Sequence, residues 1–258
     1  MSEKKGRWAG RSSAKDAVRE RIWAGLERDG LGIGPVWSVI PNFVGADTAA
    51  WHLAQTDAWK RARVVKCNPD PPQIPIRLRA LYEGKTLYAP VPYLTRDFPY
   101  LRVDPARLQA KGVSFELAAT SEGYVAHGER IDFSKVEPLD FMIVGSVAVS
   151  RDGHRTGKGA GFADLETGIF RELGTIGPDT PMATIIHSSQ LVPSADVPVE
   201  AHDWPLDYIA TESELIVTGN SEPRPGGVAW DLVREDQFRD IPFLRSLKDR
   251  MVAGKDTA

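Results

Sequence analysis

Ten residues, Arg155-Thr156-Gly157-Lys158-Gly159-Ala160-Gly161-Phe162-Ala163-Asp164, constrain this chain more than any other stretch. An apolar run, Phe141-Met142-Ile143-Val144, stands before them, and a helix-like segment over 165–173 follows. A strand, then a glycine-rich turn flanked by an arginine and a lysine, then a helix start is a physical recipe for holding phosphate. Glycines at alternate positions let the backbone take positive φ and turn several N–H groups toward one point. The helix start contributes further free N–H groups and a partial positive charge, and Arg155 and Lys158 contribute full charges. The spacing is not Gly-x-x-x-x-Gly-Lys-Ser/Thr, and the third glycine of the dinucleotide fingerprint is missing. Glycine turns between strand and helix also serve close packing alone, and the pattern by itself leaves both readings open.

The balance of the chain narrows the classes. With 258 residues, 42% of them hydrophobic and 26% charged, it can bury a sizeable core. The 32 basic and 35 acidic residues leave a net charge of −3, so no global field recruits nucleic acid or an anionic membrane. No apolar stretch approaches the ~20 residues of a membrane span. The first eleven residues are basic without an apolar run, which reads as a tail rather than a secretory signal. The single Cys67 excludes an internal disulfide and fits a reducing cytoplasm. Five scattered histidines and one cysteine suggest no zinc site. The expected partner is a small molecule, with nothing selecting between a monomer and a homodimer.

Helix and strand signals alternate along the chain. Ser13-Ala14-Lys15-Asp16 reads as a capping box opening a helix that ends near Gly30, with Val18, Ile22 and Leu26 on one face. Lys15 and Arg19 sit one turn apart on it and can address one anion; a solvated basic face is the plainer alternative. A strand over 37–40, a helix over 47–58, a strand over 63–66, a helix over 76–82 closed at Gly84 and a strand over 86–89 follow. Residues 95–135 are aromatic and weakly periodic. Strands are expected over 181–187 and 207–210, with His202-Asp203 between them as hydrogen-bonded scaffold or a general base without a nucleophile. This alternation predicts an α/β fold: three layers, a mostly parallel sheet with helices on both faces. Ligands in such sheets sit beyond the strands' carboxyl ends, so Asn68 and Asp70 after one strand and the glycine loop after another are expected to share a site. After Gly219 a turn-rich linker leads to two short helices broken near Pro242, a C-terminal appendage.

Three ordered blocks carry a resemblance to a known family. The glycine loop with its Asp164, the Lys15-Asp16-Ala17-Val18-Arg19 helix, and Gln190-Leu191-Val192 followed by Pro198-Val199-Glu200-Ala201-His202-Asp203-Trp204-Pro205-Leu206-Asp207 and Thr211-Glu212 resemble 5-formyltetrahydrofolate cyclo-ligase, also called methenyltetrahydrofolate synthetase. The match spans about residues 14–218 and suggests a tail over 1–12, a cyclo-ligase-like domain over 13–218 and an appendage over 219–258. The resemblance implies ATP as cosubstrate, with Lys15, Arg19, Gly157, Gly159, Ala160, Gly161 and Phe162 around its phosphates, Arg155 and Lys158 balancing charge in catalysis, and Asp164 holding Mg2+. It implies a folate site near Asn68, Asp70, Tyr93 and Phe98. Tyr93, Phe98 and Tyr100 can stack on a pterin, although aromatics in such a segment commonly serve a core.

The chain also departs from the family. Ala163 replaces the second aromatic after the glycines, and Gly145-Ser146-Val147-Ala148-Val149 replaces the usual Pro-Gly-x-Ala-Phe. Lys66-Cys67-Asn68-Pro69-Asp70-Pro71-Pro72-Gln73 resembles a divergent subgroup, the methenyltetrahydrofolate synthetase domain-containing proteins. The nucleotide half of the signature is better preserved than the folate half. Two rival expectations therefore stand beside the ligase: an ATP-using enzyme on another, non-folate substrate, and a nucleotide-binding regulatory protein without turnover.

Overall fold

The computed structural model describes residues 6–255; the first five residues of the expected tail lie outside it. Eleven strands alternate with ten helices among the described residues. In the first half the chain runs α1 (Ser13–Arg28), α2 (Ala46–Ala54), α3 (Asp57–Arg61), β1 (Val64–Cys67), α4 (Ile74–Tyr82) and β2 (Thr86–Pro90). It continues through β3 (Tyr100–Val103), α5 (Pro105–Ala110), α6 (Phe115–Ala118), α7 (Ser121–His127) and β4 (Glu129–Ile131). The second half contains β5 (Phe141–Ile143), β6 (Ala148–Ser150), β7 (Arg155–Thr156), α8 (Phe162–Glu172), β8 (Met182–Ile185), β9 (Leu191–Val192), β10 (Tyr208–Ala210), β11 (Leu215–Val217), α9 (Glu235–Asp240) and α10 (Leu244–Lys255).

Eight strands form the main sheet in the order β11-β10-β8-β5-β1-β2-β3-β4. The five central strands, β10 to β2 in that order, pair in parallel, and the outer strands pair antiparallel. Central parallel strands need apolar side chains on both faces, which accounts for the buried runs at β5 and β8. One face packs against α2, α4 and α7 through Leu53, Ile76 and Tyr124. The other packs against α8 and α10 through Ile169, Phe170 and Leu247. This is the expected layered α/β fold. The order in which strands are added reverses at β1: the next strand in sequence, β2, lies on one side of it and β5 on the other. The crevice beyond the carboxyl ends of β1 and β5 is thus a topological switch point.

A second sheet, β7-β6-β9, is built there. Excursions after β5 and after β8 supply its strands, and α1 packs on it through Val18 and Ile22 against Val147 and Ala148. Gln190 joins the small sheet to the large one, its amide nitrogen donating to Ser146 O at 3.2 Å and Val147 O at 3.0 Å. Asp207 accepts from the Met182 N–H at 2.7 Å, fixing β10 beside β8. The Gln-Leu-Val and His-Asp-x-Pro-Leu-Asp blocks thus include scaffold contacts.

Several local expectations differ. Residues 37–40 form no strand; Pro35 and Pro41 bracket them, Ser38 takes φ 63°, and the loop closes by an isolated bridge between Gly32 and Phe43. The helix expected over 47–58 is two, because the Thr56 hydroxyl accepts the Trp59 N–H at 3.1 Å and restarts the spiral. No capping box opens α1: Ser12 is the N-cap without a side-chain bond, and the Asp16 carboxylate instead takes the Gly10 N–H at 2.7 Å and Arg19 at 2.6 Å. Residues 95–135 are regular after all, with Asp104, Ser114 and Thr120 capping helices of four to seven residues, too short to show a period. The strand entering the glycine turn is β7, the second arm of a small hairpin, and the buried β5 lies one excursion earlier. After Gly219 the chain packs onto the second core, with Ile241, Leu244 and Leu247 buried on either side of the break between α9 and α10. No helix among the described residues is long and apolar enough to cross a membrane.

Candidate active site

A cleft of about 310 Å3 opens at the switch point, at the low end of the roughly 300–1,000 Å3 typical of small-molecule sites. The glycine turn lies along it. Gly159 and Gly161 take φ 100° and 76°, and Gly157 does not need the left-handed region. A Cβ on Gly159 would approach the Trp8 Cβ to 3.2 Å and the Arg19 guanidinium carbon to 3.4 Å, so both conformation and space call for glycine. The carbonyls of the turn are taken by neighbouring side chains. Gly157 O accepts from Arg19 Nε at 2.7 Å. Ala160 O accepts from Arg11 at 3.0 Å and from Gln237 at 3.2 Å. The N–H groups of residues 157–161, in contrast, donate to no protein acceptor among the described residues. Engaged carbonyls and successive free amides, running into the N-terminus of the 11-residue α8, make an anion seat.

The cations expected at this seat line the cleft, each already paired with a carboxylate. Arg155 donates to Asp164, Lys158 lies 3.2 Å from Asp70, Lys15 lies 2.6 Å from Asp203, and Arg19 lies 2.6 Å from Asp16. Arg11 adds a pair with Asp236 from the other end of the chain. Burial pulls the Arg19 guanidinium below its ordinary value, with Asp16 opposing that pull. Arg155 Nε is buried without a partner among the described residues, a spare donor in an otherwise occupied site. Asp203 also accepts the Glu200 N–H at 2.8 Å, consistent with a scaffold role for the His202-Asp203 step.

Asn68 and Asp70 enter the cleft from the loop after β1. Arg77, fully buried on α4, holds that loop by donating to Asp70 O at 3.2 Å, to Asn68 O, and to Ala119 O at 2.7 Å. Burial lowers the Arg77 pKa from its ordinary value. Tyr93, at φ 59°, is 41% exposed and packs 6.3 Å from Trp8 and 6.4 Å from Phe162 between ring centres. The Lys158 ammonium stands 5.1 Å from the Tyr93 ring centre. Phe98 is not in the cleft. It packs against the first core with the Arg130 guanidinium 4.8 Å over its ring, burying apolar surface that the cleft would leave wet. Tyr100 is fully buried in the second core.

The back of the cleft holds a feature that sequence reasoning missed. Lys66 on β1, wholly buried, donates to Glu166 of α8 at 2.9 Å and to Asn68 Oδ1. Glu166 is 2% exposed and lines the cleft. At an effective dielectric of 20 the attraction is about 6 kcal/mol, comparable to the desolvation cost, so the pair holds geometry more than it adds stability. A visible signal existed: Lys66 interrupts an apolar strand, and Glu166 sits between Leu165 and Ile169 on the apolar face of its helix. Missed as well were Arg11 and the wall formed by residues 227–237. Among the described residues no group of three or more His, Cys, Asp or Glu side chains forms a metal cage. Asp164, with one oxygen on Arg155, fits a divalent cation that arrives with phosphates and keeps its waters.

The model of the 5-formyltetrahydrofolate cyclo-ligase family matches residues 11–212. The chain is 38% identical over 246 residues to a methenyltetrahydrofolate synthase domain-containing protein of Bos taurus, covering 94% of this chain and 64% of that protein. It is 39% identical over 246 residues to the protein of that name from Mus musculus, covering 94% and 66%. The chain thus spans less than two thirds of the length of these relatives. The fold is similar to the NMR structure of Aquifex aeolicus 5,10-methenyltetrahydrofolate synthetase, with a TM-score of 0.52 at 20% identity over 82% of this chain and 96% of that one.

Proposed function

Because the chain belongs to the 5-formyltetrahydrofolate cyclo-ligase family, we propose that it converts 5-formyltetrahydrofolate to 5,10-methenyltetrahydrofolate while cleaving ATP to ADP and phosphate. The supporting observation is the run of free N–H groups over residues 157–161, flanked by Lys158, Arg155, Lys15 and Arg19. The formyl oxygen attacks the γ-phosphorus and ADP leaves. N10 then attacks the activated formyl carbon, loses its proton, and the phosphate departs with the former amide oxygen. An amide oxygen is a poor leaving group, and phosphorylation makes it a good one. No protein nucleophile is needed, so the chain's task is positioning and charge neutralisation.

In this reading the glycine amides cradle the phosphates. Lys158 and Arg155 turn from Asp70 and Asp164 toward the transferring group, while Lys15 and Arg19 neutralise the remaining phosphate charge. Asp164, once released from Arg155, would hold Mg2+, which would supply charge neutralisation on the phosphate oxygens. Asn68 and the exposed Tyr93 contact the acceptor.

The buried Lys66–Glu166 pair favours a second reading, an ATP-dependent reaction on a different acceptor, because it places charge where an apolar ring floor is otherwise expected. A regulatory nucleotide binder without turnover is the third. Purified protein is incubated with Mg-ATP, with and without 5-formyltetrahydrofolate, while methenyl absorbance and phosphate release are followed. Matched product and phosphate support the ligase. ATP binding without either product refutes it, and no ATP binding refutes both catalytic readings.

A further inference from the structure

The cleft has a wall that lies beyond the residues matched by the family model. Residues 227–237 line it, whereas the family match ends at residue 212. The wall is firmly seated. Arg224 donates to Thr180 O at 2.7 Å and pairs with Asp207, and the Val228 N–H donates to Glu172 at 2.8 Å. Gly168 of α8 has no side chain because Gly227 lies against it: a Cβ there would meet Gly227 O at 2.9 Å. At the far end Gln237 reaches Ala160 O of the glycine turn. The wall presents aliphatic side chains together with Arg234 and Gln237. Val228 and Val233 pack against the second core from behind, while Leu232 lines the cleft with 53% of its surface exposed.

We propose that Val228, Leu232 and Val233 form the specificity wall for the acceptor, holding its planar ring system beside the phosphate seat. This inference rests on the reading above. The glycine turn, Lys15, Arg19, Arg155 and Lys158 all fall within residues 11–212, so the groups assigned to the phosphates lie inside the matched span. The wall beyond that span supplies none of those groups. Its surface suits a flat, largely apolar ring: aliphatic carbon from Val228, Leu232 and Val233, supplemented by the Tyr93 and Phe162 rings elsewhere in the cleft. A phosphate or a ribose, rich in oxygen, gains nothing from those three side chains; an adenine would, and the affinity for the ATP analogue tells the two rings apart.

The test is calorimetric titration of 5-formyltetrahydrofolate into the full chain saturated with magnesium and a non-hydrolysable ATP analogue. Leu232→Ala is expected to raise the dissociation constant for the folate about tenfold, the scale of a lost apolar pocket contact. The affinity for the ATP analogue stays within about twofold of wild type, and Leu232→Met retains most of the folate affinity. Unchanged folate affinity in Leu232→Ala, or a loss falling on the analogue instead, overturns the specificity wall alone. A wild-type protein that binds the analogue and no folate overturns the ligase reading and this inference with it.

Discussion

Replacing Lys158 with alanine separates an anion seat from a packing turn. The ammonium lies 3.2 Å from Asp70, with side chains 17% and 8% exposed. Breaking a partly exposed pair of this kind costs about 1 kcal/mol, which for a chain of this size lowers Tm by about 2–4 °C. The loss in binding is larger. A charge-assisted hydrogen bond to phosphate contributes about 1.5–3 kcal/mol, equivalent to a rise in Kd of roughly 10- to 150-fold. Titration calorimetry with Mg-ATP gives the change in Kd, and thermal unfolding without ligand gives the change in Tm. A Kd within about threefold of wild type, accompanied by a Tm loss well above that window, would show that Lys158 serves the fold, and the phosphate seat would then have to be abandoned.

Lys66→Met leaves Glu166 buried without its counter-charge and is expected to cost about 3–5 kcal/mol, read as a fall in the urea midpoint. The double variant Lys66→Met/Glu166→Leu should recover most of that loss, and an innocuous single variant would refute the pairing. Burial pushes the Cys67 thiol up to about 12, so at pH 8 only about one thiol in ten thousand is thiolate and native protein should resist alkylation. One thiol per chain becomes reactive in denaturant, and fast native labelling at pH 8 contradicts that burial. Gly168→Ala drives a Cβ into the Gly227 backbone. Limited proteolysis should then cut residues 219–237 faster than in wild type, and equal cutting rates would mean that this segment is held elsewhere.

Much of this architecture was legible because its long elements carry their own period. The spacing of Val18, Ile22 and Leu26 marks α1, and the apolar run at Phe141 marks β5. What escaped detection was decided by tertiary context. Helices α5 to α7 are shorter than the window in which a 3.6-residue repeat emerges, and only their caps at Asp104, Ser114 and Thr120 announce them. The residues at 37–40 look like a strand, yet prolines on both sides deny them a partner. At the cleft, the glycine turn, Lys15, Arg19, Asn68, Asp70 and Tyr93 come together as expected, and Phe98 does not. The pairing of Lys15 with Asp203 and of Lys158 with Asp70, carboxylates drawn from distant parts of the chain, leaves no mark in local sequence.

That pairing makes the cleft a filter for valence. A guest bearing one negative charge that displaces Asp70 or Asp164 merely exchanges one anion for another, and its entry leaves the field almost unaltered. A guest bearing several charges on one short arm can engage Lys158, Arg155, Lys15 and Arg19 together while the released carboxylates turn to solvent or to a divalent ion. Affinity should therefore climb steeply from AMP to ADP to ATP rather than in even steps, and an even progression across that series would show that the cations act independently.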